Sequence, residues 1–199
     1  MIAVTDLLDE ASAGFLPHDG GGRDLNATLA TLPAMFGSFR DSLTALAAWM
    51  EEFPPARDSA ASVTEMARNA AACAESAREA SDQYRKENEF WLGDDPGGQM
   101  SPAVYGLTEM AGSGFIPDGS YTTGYQLADQ LEAFPELTDL IGENLGILAG
   151  WMRDNHMSGT PELLVTELAN SVSVLSVASE TASTTYQRQN AFWLSSRTL

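Results

Sequence analysis

Cysteine is almost absent from this chain. The single residue, Cys73, cannot close an internal disulfide, and one thiol excludes both a CxxC redox pair and a cysteine zinc cluster. Basic residues are scarce too: 10 Lys and Arg stand against 28 Asp and Glu, a formal charge of −18 over 199 residues. Such a field repels phosphate backbones and anionic lipids, so direct nucleic-acid or membrane binding is not expected. No run approaches the ~18 apolar residues of a membrane span, and the start Met1-Ile2-Ala3-Val4 lacks the basic and apolar regions of a signal peptide. A soluble, cytoplasmic protein is the expectation. Strand signals are confined to one β-branched run from Val172 to Val177.

What is present is core material and a repeat. Hydrophobic residues make up 44%, a normal globular share, so the acidity does not mark a disordered chain. Residues 1–100 carry 7 − 17 = −10 and residues 101–199 carry 3 − 11 = −8, so there is no acidic tail. The two halves align at an offset of 102: Leu25, Pro33, Leu43, Leu46, Trp49 and Met50 recur as Leu127, Pro135, Leu145, Leu148, Trp151 and Met152. Tyr84, Asn88, Phe90, Trp91 and Leu92 recur as Tyr186, Asn190, Phe192, Trp193 and Leu194, and 19 of the 70 pairs from 23/125 to 92/194 are identical. Upstream the offset is 100, pairing Gly14-Phe15-Leu16-Pro17 with Gly114-Phe115-Ile116-Pro117. The chain therefore divides into repeat 1 (1–92), a Gly/Pro/Asp-rich linker (93–102) and repeat 2 (103–199).

Periodicity sets the class. Leu25, Leu29, Leu32, Phe36, Phe39, Leu43, Leu46, Met50 and Phe53 follow a 4-3 spacing, the seam of a long packed helix, and repeat 2 carries the same seam from Leu127 to Met152. Pro33 and Pro135 predict a kink or break early in each. A second helix runs along Val63, Met66, Ala70, Cys73, Ala77, Ala80, Tyr84, Glu87 and Trp91, with its counterpart from Val165 to Trp193. Short helices are expected near 4–12 and 104–111. Two long hairpins bury both sides of their seams only against each other. The predicted fold is all-α: a tandem repeat of two helical hairpins packed as a four-helix bundle about a pseudo-twofold, each preceded by a short helix, with one shared core.

Chemistry-bearing groups do not converge. Cys73 sits on a seam opposite Leu175 in the alignment, a packing position. His18 and His156 lie at non-equivalent positions without ligand spacing, and Glu51-Glu52 and Asp94-Asp95 belong to no calcium loop. Asp19-Gly20-Gly21-Gly22 lacks the Lys and Ser/Thr of a phosphate loop, and no Gly-x-Ser-x-Gly elbow occurs. No catalytic, cofactor-binding or metal-binding residue is assigned, and no cofactor is called for. The aromatic residues stand apart. Trp49 and Trp151 fall one residue off the seam beside the inter-helix turn, and Phe90-Trp91-Leu92 and Phe192-Trp193-Leu194 make the end of the second helix apolar on more than one face. Two readings stand open for these eight residues: packing between hairpins and onto the short helices, with Phe15 inserted under the same end, or an exposed protein-binding patch.

With Trp49 and Trp151 at the turn between two long helices, each half resembles the small WXG-type (ESX-type) hairpin proteins of type VII secretion. Tyr84-Arg85-Lys86-Glu87-Asn88 and Tyr186-Gln187-Arg188-Gln189-Asn190 are similar to that family's Tyr-x-x-x-acid signal, with Asn in place of the acid. Glu51 and Arg153 stand where the family has glycine. The resemblance implies a partner-binding protein that is secreted without a signal peptide, or is associated with secretion. The expected function is a non-enzymatic acidic α-helical interaction module whose partner is another protein, with a homodimer left open. Alternatives are an acidic mimic or inhibitor of a nucleic-acid-binding protein, and a helical bundle with a small-molecule or enzymatic pocket, for which a buried Glu87 would be the motive.

Overall fold

The computed structural model describes residues 3–17, 21–93, 97–119, 122–157 and 159–195. These form α1 (Val4–Ala11), α2 (Gly22–Glu52), α3 (Ala60–Leu92), α4 (Pro102–Gly112), α5 (Thr123–Asp154) and α6 (Thr160–Leu194), with a 3-10 turn at Arg57–Ser59 and no strand among the described residues. His18, Asp19, Gly20, Asp94 and Asp95 lie outside them.

The chain is an all-α bundle, and its core follows the predicted seams. Every α2 seam residue from Leu25 to Met50 is buried, as is every α5 seam residue from Leu127 to Met152. Alanines and Cys73 in the middle of α3 let its axis approach its neighbours closely, while Val172 is buried and Val174 and Val177 face outward on one continuous helix. Pro33 and Pro135 break neither helix: both lie inside uninterrupted α2 and α5. Burial of Leu29, Leu32 and Phe36 around Pro33 offsets the ~3 kcal/mol that a missing N–H and a ring clash cost.

The second-helix seam holds only as far as Tyr84 and Tyr186. One turn later Glu87 and Gln189 are exposed, and Asn190 and Leu92 turn inward instead. An α-helix drifts ~20° per heptad against a strict seven-residue repeat. Over the four heptads from Val63 to Trp91 the buried stripe moves on to the 4-4 spacing of Tyr84, Asn88 and Leu92.

Packing between elements reveals an exchange. The hairpins α2/α3 and α5/α6 join through α3 against α6, while α2 and α5 make no direct helix-to-helix packing among the described residues. The short helices fill that gap crosswise: α1 lies on α5, α4 lies on α2, and α1 meets α4. The six helices form a closed circuit in the order α2, α3, α6, α5, α1, α4. Thus α1 covers the second hairpin and α4 the first.

Paired contacts hold the exchange. The Ala11 carbonyl in the last turn of α1 accepts from Asn144 Nδ2 (2.8 Å), and the Ala111 carbonyl of α4 accepts from Ser42 Oγ (2.5 Å). Ser42 and Asn144 are partners at the offset of 102, Ala11 and Ala111 at 100. Directly after these helices Gly14 (φ 80°) and Gly114 (φ 85°) take left-handed conformations that a side chain would strain. The turn sends Phe15 and Phe115 into the core. Phe115 lies between Phe39 of α2 (6.0 Å) and Phe134 of α5 (5.1 Å, edge-on).

Removing either side-chain donor should loosen a short helix. Asn144→Ala and Ser42→Ala are each expected to cost ~1–2 kcal/mol in urea unfolding, read as a lower midpoint at unchanged slope.

Candidate functional site

The hairpins run head to tail, so each end of the bundle combines the open end of one with the turn of the other. Asn190 Nδ2 donates to the Pro55 carbonyl (2.9 Å), and Ser59 Oγ donates to Gln189 Oε1 (2.7 Å), placing the end of α6 against the first turn. At the other end Tyr84 Oη approaches Met157 Sδ (4.0 Å) in the second turn.

The same clasp closes both open ends. Tyr84 Oη donates to the Gly22 carbonyl and Tyr186 Oη to the Gly124 carbonyl, both at 3.0 Å. Asn88 Nδ2 donates to the Tyr84 carbonyl (2.8 Å) while its Oδ1 accepts from Trp91 Nε1 (2.9 Å). Asn190 makes the same two bonds to Tyr186 and Trp193, each 2.9 Å. Fixed in this way, each indole lies over a glycine at the start of the partner helix: a Cβ at Gly22 would run into the Trp91 ring, and one at Gly124 into the Trp193 ring. Tyr125 adds an edge-on contact to Trp193 (5.1 Å). Burial pushes the Tyr84 and Tyr186 phenols up to about 12. It does the same to the Cys73 thiol, which stays an inert packing group.

The eight aromatic and apolar residues singled out from the sequence fall into distinct places. Trp49, stacked on Phe53 at 4.9 Å, and Trp151 are half-buried against the core beside their turns. Leu92 is buried, Leu194 and Trp193 are half-buried, and Trp91 keeps one edge in solvent. Phe90 and Phe192 are fully exposed, at 102% and 94%. One turn before each stands an exposed cation at paired positions, Lys86 and Arg188. Each end therefore presents a bare phenyl ring with a cation one turn away, joined at the Phe90 end by the exposed acids Glu87 and Glu89.

Other sequence candidates do not converge. Glu87 is exposed and accepts from Gln83 Nε2 (2.7 Å), so the motive for a pocket built around it is gone. His156 is exposed in the second turn with φ 58°. Among the described residues no group of three or more His, Cys, Asp or Glu could hold a metal ion, and no helix is long and apolar enough to cross a membrane. The charges on α3 are of both signs, with pairs Glu65–Arg68 and Glu75–Arg78. On α5, by contrast, Asp129, Glu132, Glu136, Asp139 and Glu143 form an exposed stripe of one sign.

Sequence reasoning missed Gly22, Gly124 and Tyr125. The glycines had a signal, because they pair at the offset of 102 one position before the counted span. Tyr125 replaces Arg23 and had none. No family model, curated protein or solved structure matches the chain.

Two outcomes follow from the clasp. Gly→Ala near the start of an exposed helix usually stabilises, but Gly22→Ala and Gly124→Ala should each cost ~1–3 kcal/mol and increase quenching of tryptophan fluorescence as an indole is displaced. The folded state holds the Tyr84 and Tyr186 protons more tightly than an unfolded phenol with its ordinary value of 10.0. Their contribution is therefore complete below pH 10 and is lost as pH rises toward 12, and Tyr84→Phe with Tyr186→Phe should flatten the urea midpoint across that window.

Proposed function

We propose that the protein is a non-enzymatic interaction module, an adaptor or chaperone-like binder that engages another protein through the two ends of its bundle. The observation that carries this reading is the pair Phe90 and Phe192, each fully exposed at paired positions on rigid helices. An exposed aromatic ring has no part in the core, whereas a ring held on a fixed helix is the kind of anchor that dominates binding energy when a partner pocket closes over it. Lys86 and Arg188 one turn away suit a partner whose pocket carries an acidic rim. The turn-side tryptophans Trp49 and Trp151 and the clasp tryptophans Trp91 and Trp193 lie at the same ends of the bundle. The resemblance of each half to secreted helical hairpins is compatible with a secretion-associated role.

A second reading is favoured by a separate feature. The single-signed stripe on α5 offers five carboxylates at 3-4 spacing, roughly 5 Å apart along the axis, a surface that an acidic mimic would turn toward a basic nucleic-acid-binding protein.

One experiment separates the two. With a photo-crosslinking phenylalanine analogue at position 90 or 192 of the intact protein in its host, the crosslinked partner is identified and its affinity measured at rising salt. The module reading expects Phe90→Ser with Phe192→Ser to abolish capture while thermal stability stays within ~0.5 kcal/mol of the parent, as for other surface substitutions. Capture that ignores the phenylalanines but collapses with salt and with Glu→Lys changes along α5 would replace it with the mimic reading.

A further inference from the structure

The outer face of α6 carries a second stripe at 3-4 spacing, opposite its buried seam: Leu163, Asn170, Val174, Val177, Thr181 and Thr184 are all exposed. The paired positions on α3 hold Ala61, Arg68, Ala72, Glu75, Glu79 and Asp82, exposed as well. Four charges on α3 thus stand as neutral residues on α6, one of them as a valine. From 168 to 179 α6 has no charged residue at all, on a chain of net −18. Leu163, Val174 and Val177 are 60%, 57% and 64% exposed. The outer face of α3 shows what a water-covered helix of this chain carries instead: charges of both signs, tied in the pairs Glu65–Arg68 and Glu75–Arg78.

Two different borders flank this stripe. On the α3 side lies a groove of about 430 Å³, with Ala61 and Ser62 on one wall and Val174, Val177 and Ala178 on the other. Its one charged wall residue, Glu65, is paired with Arg68. On the α5 side Ser176 Oγ donates to Asp139 Oδ1 (2.5 Å), which brings the acidic stripe of α5 alongside. There Glu136, Asp139 and Glu143 stand exposed on successive turns. An apolar ridge therefore has a neutral groove along one side and a row of carboxylates along the other. The backbone of α6 offers nothing to an extended chain, because the N–H and C=O groups inside an α-helix are used by its own ladder. What it presents is ridges of side chains, the surface into which a second helix packs at an axial distance of about 8–10 Å.

We propose that this face of α6 receives an amphipathic helix of a partner protein, with an apolar stripe against Val174 and Val177 and basic residues along the flank that meets α5. The proposal rests on the module reading only in taking the occupant to be another protein. From Leu163 to Thr181 the stripe is roughly 27 Å long, about five turns of helix. Lys or Arg on the α5 flank reaches a row of carboxylates, whereas an acidic flank would lie along like charges. The charges also argue against a second copy of this chain. Paired antiparallel, α6 brings the α5 rows of two copies to the same side; paired parallel, it sets Glu167 against itself and Arg188 against itself. The partner helix is recognised through anchors at i, i+3, i+4 and i+7, and the phenylalanine ends are free to act separately.

The test uses the intact protein and fluorescein-labelled designed peptides of about 21 residues, each with a leucine seam at 3-4 spacing. One carries Lys along a single flank and a second carries Glu there, while a third has the composition of the first in scrambled order. In about 0.15 M salt the Lys-flanked helix should bind saturably, and the other two at least about tenfold more weakly. Val174→Ala with Val177→Glu installs the residues that α3 carries at the paired positions, so the fold accommodates them. Binding of the Lys-flanked helix should then fall at least about tenfold, although the variant adds a negative charge. Glu136→Gln with Glu143→Gln should weaken it about threefold. In the isotopically labelled parent the same peptide should shift the methyl resonances of Val174 and Val177, a reading that needs no variant. The proposal is overturned by no saturable binding up to about 100 μM, by an equal response to the scrambled peptide, or by methyl shifts confined to other helices. A dimer of the parent that Val174→Ala with Val177→Glu dissociates would give the face to a second copy instead. Phenylalanine-dependent capture without peptide binding sinks this proposal alone; peptide binding with capture indifferent to Phe90 and Phe192 supports it and removes those anchors.

Discussion

Two hairpins with deep apolar seams leave a gap where α2 and α5 face each other, and the architecture depends on how that gap is closed. Each closing helix is too short to be stable alone, since isolated helices below ~12–15 residues are marginal in water. Near their C-termini the Ala11 and Ala111 carbonyls, which already accept from the Gly14 and Gly114 N–H groups, each take a second donor from a side chain. Asn144 and Ser42 supply those donors from the opposite repeat, Gly14 and Gly114 then reverse the chain, and Phe15 and Phe115 enter the space that remains. The placement is crosswise: each hairpin is covered by the short helix that precedes the other hairpin in the chain.

The ends of the bundle obey a different rule. There the seam has drifted off the interface, and a hydrogen-bonded clasp takes over from apolar packing. Tyr, Asn and Trp on one turn-by-turn face tie the last two turns of α3 and α6 to the first residues of α2 and α5. A glycine is required under each indole because there is no room for a Cβ. With the indoles committed inward, the neighbouring Phe90 and Phe192 are carried to the opposite side of the same helix and left in water. One motif thus both ties the helix end to its neighbour and leaves the ring in solvent.

The two hairpins agree at many packing positions and differ where one side has a different neighbour. Asp24 and Thr28 bond the chain that links the hairpins, while Gln126 and Gln130 line a cavity beside α1 and keep their side-chain oxygens buried. The acidic stripe of α5 has no equal on α2, where Arg40 pairs with Asp41. These differences lie on the outer side of the first long helix of each repeat, the side that the exchanged short helices flank.

Much of this was legible in the residue order. The 4-3 spacing of Leu, Phe and Met forces long helices with one buried face, the Gly/Pro clusters end them, and the paired Trp, Tyr, Asn and Phe positions mark the ends as special. What periodicity could not carry is direction in space. A one-dimensional pattern says that Val4, Leu7 and Ala11 need a partner surface, but either hairpin offers one, so the crosswise placement of α1 and α4 is decided only by which carbonyl reaches Asn144 or Ser42. The drift that exposes Glu87 and turns Asn190 inward is a three-dimensional accumulation of ~20° steps, invisible in a strict heptad reading. The buried oxygens of Gln126 and Gln130 likewise exist only in the fold. The sequence by itself determined the class and the seams as far as Tyr84 and Tyr186, because burying apolar area needs only the right period. The tertiary structure alone decided which helix covers which hairpin and which polar atoms are left without a partner, because hydrogen bonds are directional and are satisfied only by what stands opposite.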